Sequence, residues 1–299
     1  MTRKTLPTAL LALAVLCGCG GAAETAAPPS PSATAAAKDK KHQLEAAKAD
    51  CMKQKGFKYV AWVKPELPET EEDRSRSAGD YQAMRKYREK YGFGIFAEFI
   101  YPKEMDTPEA QSERGAADPN MKVQEALSET QLGAYHKAKD ACMITASKQV
   151  LGVTVKSNID YYNQIALARK RATSSTLDTD PKLMELATAM ATCLKGKGYT
   201  VGDTTPTAMA KRGENVFYEQ LDKVGREQDD SVPDVPPPTK KGQGQPINMP
   251  RLTSEQAKPY LAKEIKAALE DLECGKDFYA AYTPRKSAID TQIRAQFAY

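Results

Sequence analysis

Histidine is nearly missing from this chain, with two residues among 299, and tryptophan occurs once. His42 and His136 stand on polar or mixed segments and read as surface positions. No Ser–His or Cys–His nucleophilic system therefore has a convincing base, and zinc is disfavoured. The motifs G-x-S-x-G, S-x-x-K and H-E-x-x-H are absent. No C-x-x-C follows the leader, which removes the usual dithiol signature. "GFG" at Gly92–Gly94 has neither the preceding strand nor the third glycine of a phosphate-cradling loop. The acidic run Glu69–Asp73 lacks the spacing of a calcium loop and reads as solvated. Aromatic residues make up 7% of the chain, so its core must lean on Ala, Leu, Met and Tyr, a composition that favours helices.

One apolar run stands out. Arg3 and Lys4 precede Leu6–Leu16, a stretch of signal-peptide length and too short to span a bilayer. It ends in Leu16-Cys17-Gly18-Cys19, which resembles the lipobox of bacterial lipoproteins. That resemblance implies cleavage after Gly18 and lipidation of Cys19, because Cys17 would place bulky Leu16 before the cut. The expected organisation is a leader over 1–18, then Cys19 with a disordered Ala/Pro/Ser tether to 37. A first helical half over 38–175 and a second over 176–299 follow, with a Pro/Gly-rich loop at 231–250. The formal net charge is +4, and losing Arg3 and Lys4 leaves 41 basic against 39 acidic residues, or +2. So balanced a surface offers no footprint for nucleic acid.

Four further cysteines remain, Cys51, Cys142, Cys193 and Cys274, and an even number in an exported chain points to disulfides. Three pairings are open to four cysteines. An internal echo favours one. "LEAAKADCMKQKGF" and "LATAMATCLKGKGY" share Leu44/Leu186, two alanines, two lysines, a glycine and a final aromatic. Each reads as a helix stopped by Gly56 or Gly198. Asp180 and Pro181 open the second of these helices as N-cap and N1. "LSETQLGAY" and "LTSEQAKPY" share a capping box, Ser128 with Gln131 and Thr253 with Gln256. Cys142 and Cys274 follow these caps by 14 and 21 residues, two helical turns apart in register. The order of elements, run twice, favours Cys51–Cys142 and Cys193–Cys274. Pro259 falls inside the second capped helix and predicts a later start there.

The remaining stretches complete the expected fold: mainly α, with a few short strands. "FKYVAWV" at Phe57–Val63 is the strand candidate. The acidic, proline-containing stretch Pro65–Asp80 reads as a loop, and Tyr81–Gly94 as a charged helix with a glycine stop. The segment Ser157–Ser174 reads as a continuation of the helix carrying Cys142. Tyr81, Tyr87, Tyr91, Tyr161 and Tyr162 are candidates for a ligand groove, weighed against a role in core and rim.

The lipobox, the "C-M-x-x-x-G-F" stop, "YGFG" and "DPN…LSETQLGAY…AC" together resemble uncharacterised lipoproteins of high-GC Gram-positive bacteria. The resemblance covers the first half well and the second as a looser echo. It implies a lipid-anchored protein on the outer face of the cell membrane with a disulfide frame. It carries no reaction, cofactor or catalytic residue. The expectation is a non-enzymatic binding or structural protein of the envelope, held by its lipid and open to an envelope protein partner. A solute- or wall-fragment-binding protein is the first alternative, although the βαβ rhythm of two-lobed binding proteins is missing. An envelope hydrolase is the second, since 39 acidic residues offer many carboxylate pairs whose separation a sequence does not give.

Overall fold

The computed structural model describes residues 31–229, 231 and 247–299, with side chains from residue 38 onward. The leader, Cys17, Cys19, the first part of the tether and most of the loop at 231–250 lie outside the described residues. Eleven α-helices run through the described part, with a 3₁₀ turn at Ala97–Phe99 and a π turn at Ser147–Leu151. Helix α1 spans Pro31–Gln54, α2 Glu71–Ser77, α3 Tyr81–Tyr91, α4 Pro108–Glu113, α5 Asn120–Glu125 and α6 Glu129–Ala146. Then come α7 Asn158–Thr176, α8 Pro181–Gly196, α9 Pro206–Glu227, α10 Ser254–Cys274 and α11 Lys276–Phe297.

The repeated helix stop is real at the level of single hydrogen bonds. Gly56 and Gly198 take φ of 80° and 86°, a region open to glycine at little cost. Gly56 N–H donates to Lys53 and Phe57 N–H to Met52; Gly198 N–H donates to Lys195 and Tyr199 N–H to Leu194. Both ends thus close with the same six-to-one and five-to-two pattern. Both capping boxes form, with Ser128 bonding the Gln131 N–H and Thr253 the Gln256 N–H, each reciprocated by the glutamine side chain. Asp180 caps α8 by accepting from Leu183 N–H at 2.8 Å. Cys51 pairs with Cys142 and Cys193 with Cys274, each with Cα atoms 5.5 Å apart, inside the ordinary range for a disulfide.

Four expectations need correcting. No strand occurs among the described residues, and Phe57–Val63 runs as irregular chain. Its backbone has no neighbouring strand; instead the Asn120 amide bonds both the Val60 N–H, at 2.8 Å, and the Val60 carbonyl, at 3.0 Å. One side chain from 60 residues away does locally what a ladder would do. Helix α10 begins at Ser254 despite Pro259. Its capping box and the buried Ala257 and Leu261 hold the first two turns, so only the one backbone donor is lost. Helix α7 does not continue α6: Gly152, at φ 68°, ends the π turn, and Ser157 caps a new helix by accepting from Asp160 N–H. The acidic loop holds a helix, α2, because Thr70 and Asp73 form a third capping box. In addition, the last residues of the tether, from Pro31, are already helical, as their alanines favour.

The two stapled segments share their packing. One cluster joins Leu44 of α1, Met143 of α6 and Ile165 of α7 to Leu183 and Met190 of α8, Leu272 of α10 and Phe278 and Phe297 of α11. A second sets Ile95 and Phe96 against Phe217, Leu221 and Leu261. The first disulfide lies in a third, with Met52 and the wholly buried Tyr135, whose ring meets Phe57 edge to face at 5.6 Å. The second disulfide borders the largest cluster through Cys274.

Candidate binding cleft

Where α2, α3, α9 and α11 meet, a cleft of about 410 Å³ opens. That volume falls within the range of small-molecule sites. Helix α2 contributes Asp73, Arg76 and Ser77; α3 contributes Met84, Tyr87 and Arg88, followed by Gly92 and Phe93; α9 gives Glu214, and α11 gives Thr283 and Lys286.

Two buried carboxylates of α10 hold Arg88 and Phe93, which line this cleft. Asp271 has no exposure, and three side chains from three other helices converge on it. Arg88 Nη1 donates to Asp271 Oδ2 at 2.9 Å, Tyr279 Oη donates to the same oxygen at 2.6 Å, and Arg212 Nη2 reaches Oδ1 at 3.2 Å. Arg88 also donates to the Ala268 carbonyl at 2.7 Å, and its guanidinium lies 4.6 Å from the centre of the Tyr279 ring. Burial, followed by the Asp271 charge, pushes the Tyr279 phenol above its ordinary pKa, so it stays protonated and donates.

Glu264, also without exposure, performs the second task. Its Oε1 accepts from Phe93 N–H and Ile95 N–H, and its Oε2 from Phe96 N–H, all at 2.8 Å. One carboxylate thereby fixes the turn after α3, where Gly92 has φ 63° and a Cβ would come 2.8 Å from Glu264 Cγ. The turn delivers Phe93 to the wall of the cleft. Phe93 is seated there because α9 carries Gly213: a Cβ at that position would fall 2.0 Å from the Phe93 ring.

Of the charged residues lining the cleft, four are already engaged. Arg76 pairs with Asp73 and lays its guanidinium 4.0 Å over the Tyr87 ring. Arg88 pairs with Asp271, and Lys286 with Asp290. Asp73 is held below its usual carboxylate pKa, first by the Thr70 hydroxyl and also by Arg76. Glu214 differs from them. It is half-buried, and among the described residues it has neither a hydrogen bond nor an ion pair. Burial pushes its carboxyl up, against the opposing pull of Lys211, Arg88 and Lys286.

Of the tyrosines read as groove candidates, Tyr87 alone lines the cleft. Tyr91 packs edge to face on Tyr101 at 5.4 Å, and Tyr161 is buried with its hydroxyl on the Phe297 carbonyl. Tyr81 packs at the edge of the main core, and Tyr162 is exposed. The sequence reading missed Arg88, Glu264 and Asp271, whose partners lie far away in the chain or on other helices, and it missed Glu214. His42 and His136 are exposed, and no cluster of metal-ligating side chains occurs among the described residues. None of the described helices is long and apolar enough to cross a membrane. No family model, curated protein or solved structure matches this chain.

Proposed function

We propose that this chain is a lipid-anchored binding protein of the outer face of the cell membrane, without catalytic activity of its own. The observation that carries the reading is the pair of disulfides, Cys51–Cys142 and Cys193–Cys274. Such bridges persist where thiols are oxidised, outside the cytoplasm. The basic and apolar leader with Leu16-Cys17-Gly18-Cys19 agrees with them. One acyl chain holds a protein only marginally, so a Cys19 bearing the two acyl chains of a diacylglyceryl group suits stable attachment.

Within that reading the cleft is the working surface. It favours small-molecule capture over hydrolysis because Asp73, one of its two lining carboxylates, is already engaged. Asp73 Oδ2 accepts from both the Thr70 N–H and the Thr70 hydroxyl, while Oδ1 faces Arg76. That carboxylate serves as a cap and is a poor nucleophile or base. The matching helix stops and capping boxes further support two related segments that merged around one core, the second bearing α9 and Glu214.

Membrane fractionation of cells expressing the Cys19→Ala variant tests the assignment. Wild type and Cys17→Ala should sediment with the membrane, and Cys19→Ala should appear in the soluble fraction. Retention of Cys19→Ala at the wild-type level would refute the lipid anchor.

A further inference from the structure

The two disulfides differ in what surrounds them. Cys142 is wholly buried, in a cluster with Met52 and Tyr135, neither of which is exposed, and Cys51 is half-buried. Cys193 is exposed near the end of α8, and Cys274 is half-buried at the end of α10. Ala189 and Gly196 stand one turn to either side of Cys193 on α8, both exposed, and a Cβ at Gly196 would meet nothing within 4 Å. Lys197, the next residue along, is drawn to Glu273 by an ion pair at 3.2 Å. Small residues thus flank the exposed cysteine. The rate of thiol–disulfide exchange follows the access of an attacking thiolate to one of the two sulfurs. A bridge in the core is reached only when the structure around it opens.

Opening the exposed bridge leaves α8 and α10 joined by other means. Lys197 pairs with Glu273, the Tyr199 hydroxyl donates to Glu270, and Met190 and Leu194 of α8 share the main core with Leu272 of α10. We propose that Cys193–Cys274 is a thiol–disulfide exchange site, open to a dithiol reductant in the folded protein, while Cys51–Cys142 opens only when the fold does. A thiolate of the reductant attacks Cys193 Sγ, and a mixed disulfide forms as the bond to Cys274 breaks. Cys274 Sγ leaves as a thiolate and takes up the proton that the attacking thiol gave to water. The second thiol of the reductant, deprotonated in turn, attacks the reductant's own sulfur in the mixed disulfide. Cys193 then leaves as a thiolate and is protonated in the same way. Two electrons and two protons pass to the bridge, and the dithiol is oxidised to its disulfide.

Timed reduction of the full chain in detergent micelles tests the proposal, with dithiothreitol as the probe. Samples are quenched in acid, free thiols are trapped with N-ethylmaleimide, and the label on each cysteine is read by peptide mass spectrometry. Cys193 and Cys274 should be labelled about tenfold or more faster than Cys51 and Cys142, in proportion to the dithiothreitol concentration and with the circular dichroism unchanged. Reduced glutathione, a monothiol, should leave its first adduct on Cys193. Simultaneous opening of both bridges, or earlier opening of Cys51–Cys142, would overturn the proposal. So would a rate for Cys193–Cys274 that does not depend on the reductant concentration, because unfolding would then be limiting. A first glutathione adduct on Cys274 would overturn Cys193 as the attacked sulfur. Oxidised glutathione, added once the reductant is removed, should restore the bridge; failure to re-form it would overturn the claim that the fold survives exchange. Each label is read in its own peptide, so the result does not depend on the lipid at Cys19.

Discussion

Arg88 Nη1 lies 2.9 Å from Asp271 Oδ2, joining α3 to α10 across 183 residues of chain. Arg212 of α9 and Tyr279 of α11 meet the same carboxylate, so four helices are tied at one buried point. Such a node fixes which helices lie beside one another, whereas the apolar clusters around it specify little beyond size and shape.

The node makes the first prediction. Asp271→Asn removes the charge that answers two largely buried guanidinium groups. Breaking a buried pair from one side costs about 3–5 kcal/mol, because the remaining charge is stranded. Equilibrium unfolding in urea should show a loss of that order. A loss below about 1 kcal/mol would mean that water or a neighbouring group takes the place of Asp271.

The disulfides make the second. They span 91 and 81 residues, and loop-closure entropy assigns each about 4–5 kcal/mol. Because the core clusters are shared between the segments, loss of either bridge should lower one common transition rather than unfold one segment alone. Calorimetry of the Cys51→Ala/Cys142→Ala and Cys193→Ala/Cys274→Ala variants should each show a single peak, lowered by roughly 10 °C or more. Two separate peaks would show that the segments fold independently.

Glu214 makes the third, through pH. Its folded pKa lies above its unfolded value, with burial the first cause and Lys211, Arg88 and Lys286 opposing; Asp271 adds to the rise. A raised carboxyl is a liability when ionised, so its cost is present above the folded pKa and vanishes below the unfolded one. Glu214→Gln should therefore melt at or above the wild-type temperature at pH 7.5, and the difference should close as the pH falls to about 4. A variant that melts lower at pH 7.5 would reveal a stabilising partner for Glu214.

What could be read in the sequence follows the range of the interaction. The stops at Gly56 and Gly198, the cap at Asp180 and both glutamine capping boxes close within six residues, so the local pattern contained them. The disulfide pairing was legible because those local signals recur in the same order around the cysteines. Phe57–Val63 was misread because strand-forming residues need a strand beside them, and Asn120 lies there instead. Pro259 was misread because the penalty it brings is smaller than the packing of α10 around it. Glu264 and Asp271 sit in a helix whose acidic residues look like any solvated face; Phe93 and Arg88, which they bind, stand 171 and 183 residues earlier, and no periodicity marks them. The cleft shares that origin, assembled from helices that only the fold brings together.

The most direct test of the account is the intact mass of the protein purified from its membrane, with fragmentation of its N-terminal peptide. The mature chain should begin at Cys19, carry a diacylglyceryl thioether on that sulfur, and retain two disulfides. A chain that still begins at Met1, or that begins elsewhere with Cys19 unmodified or missing, would contradict it.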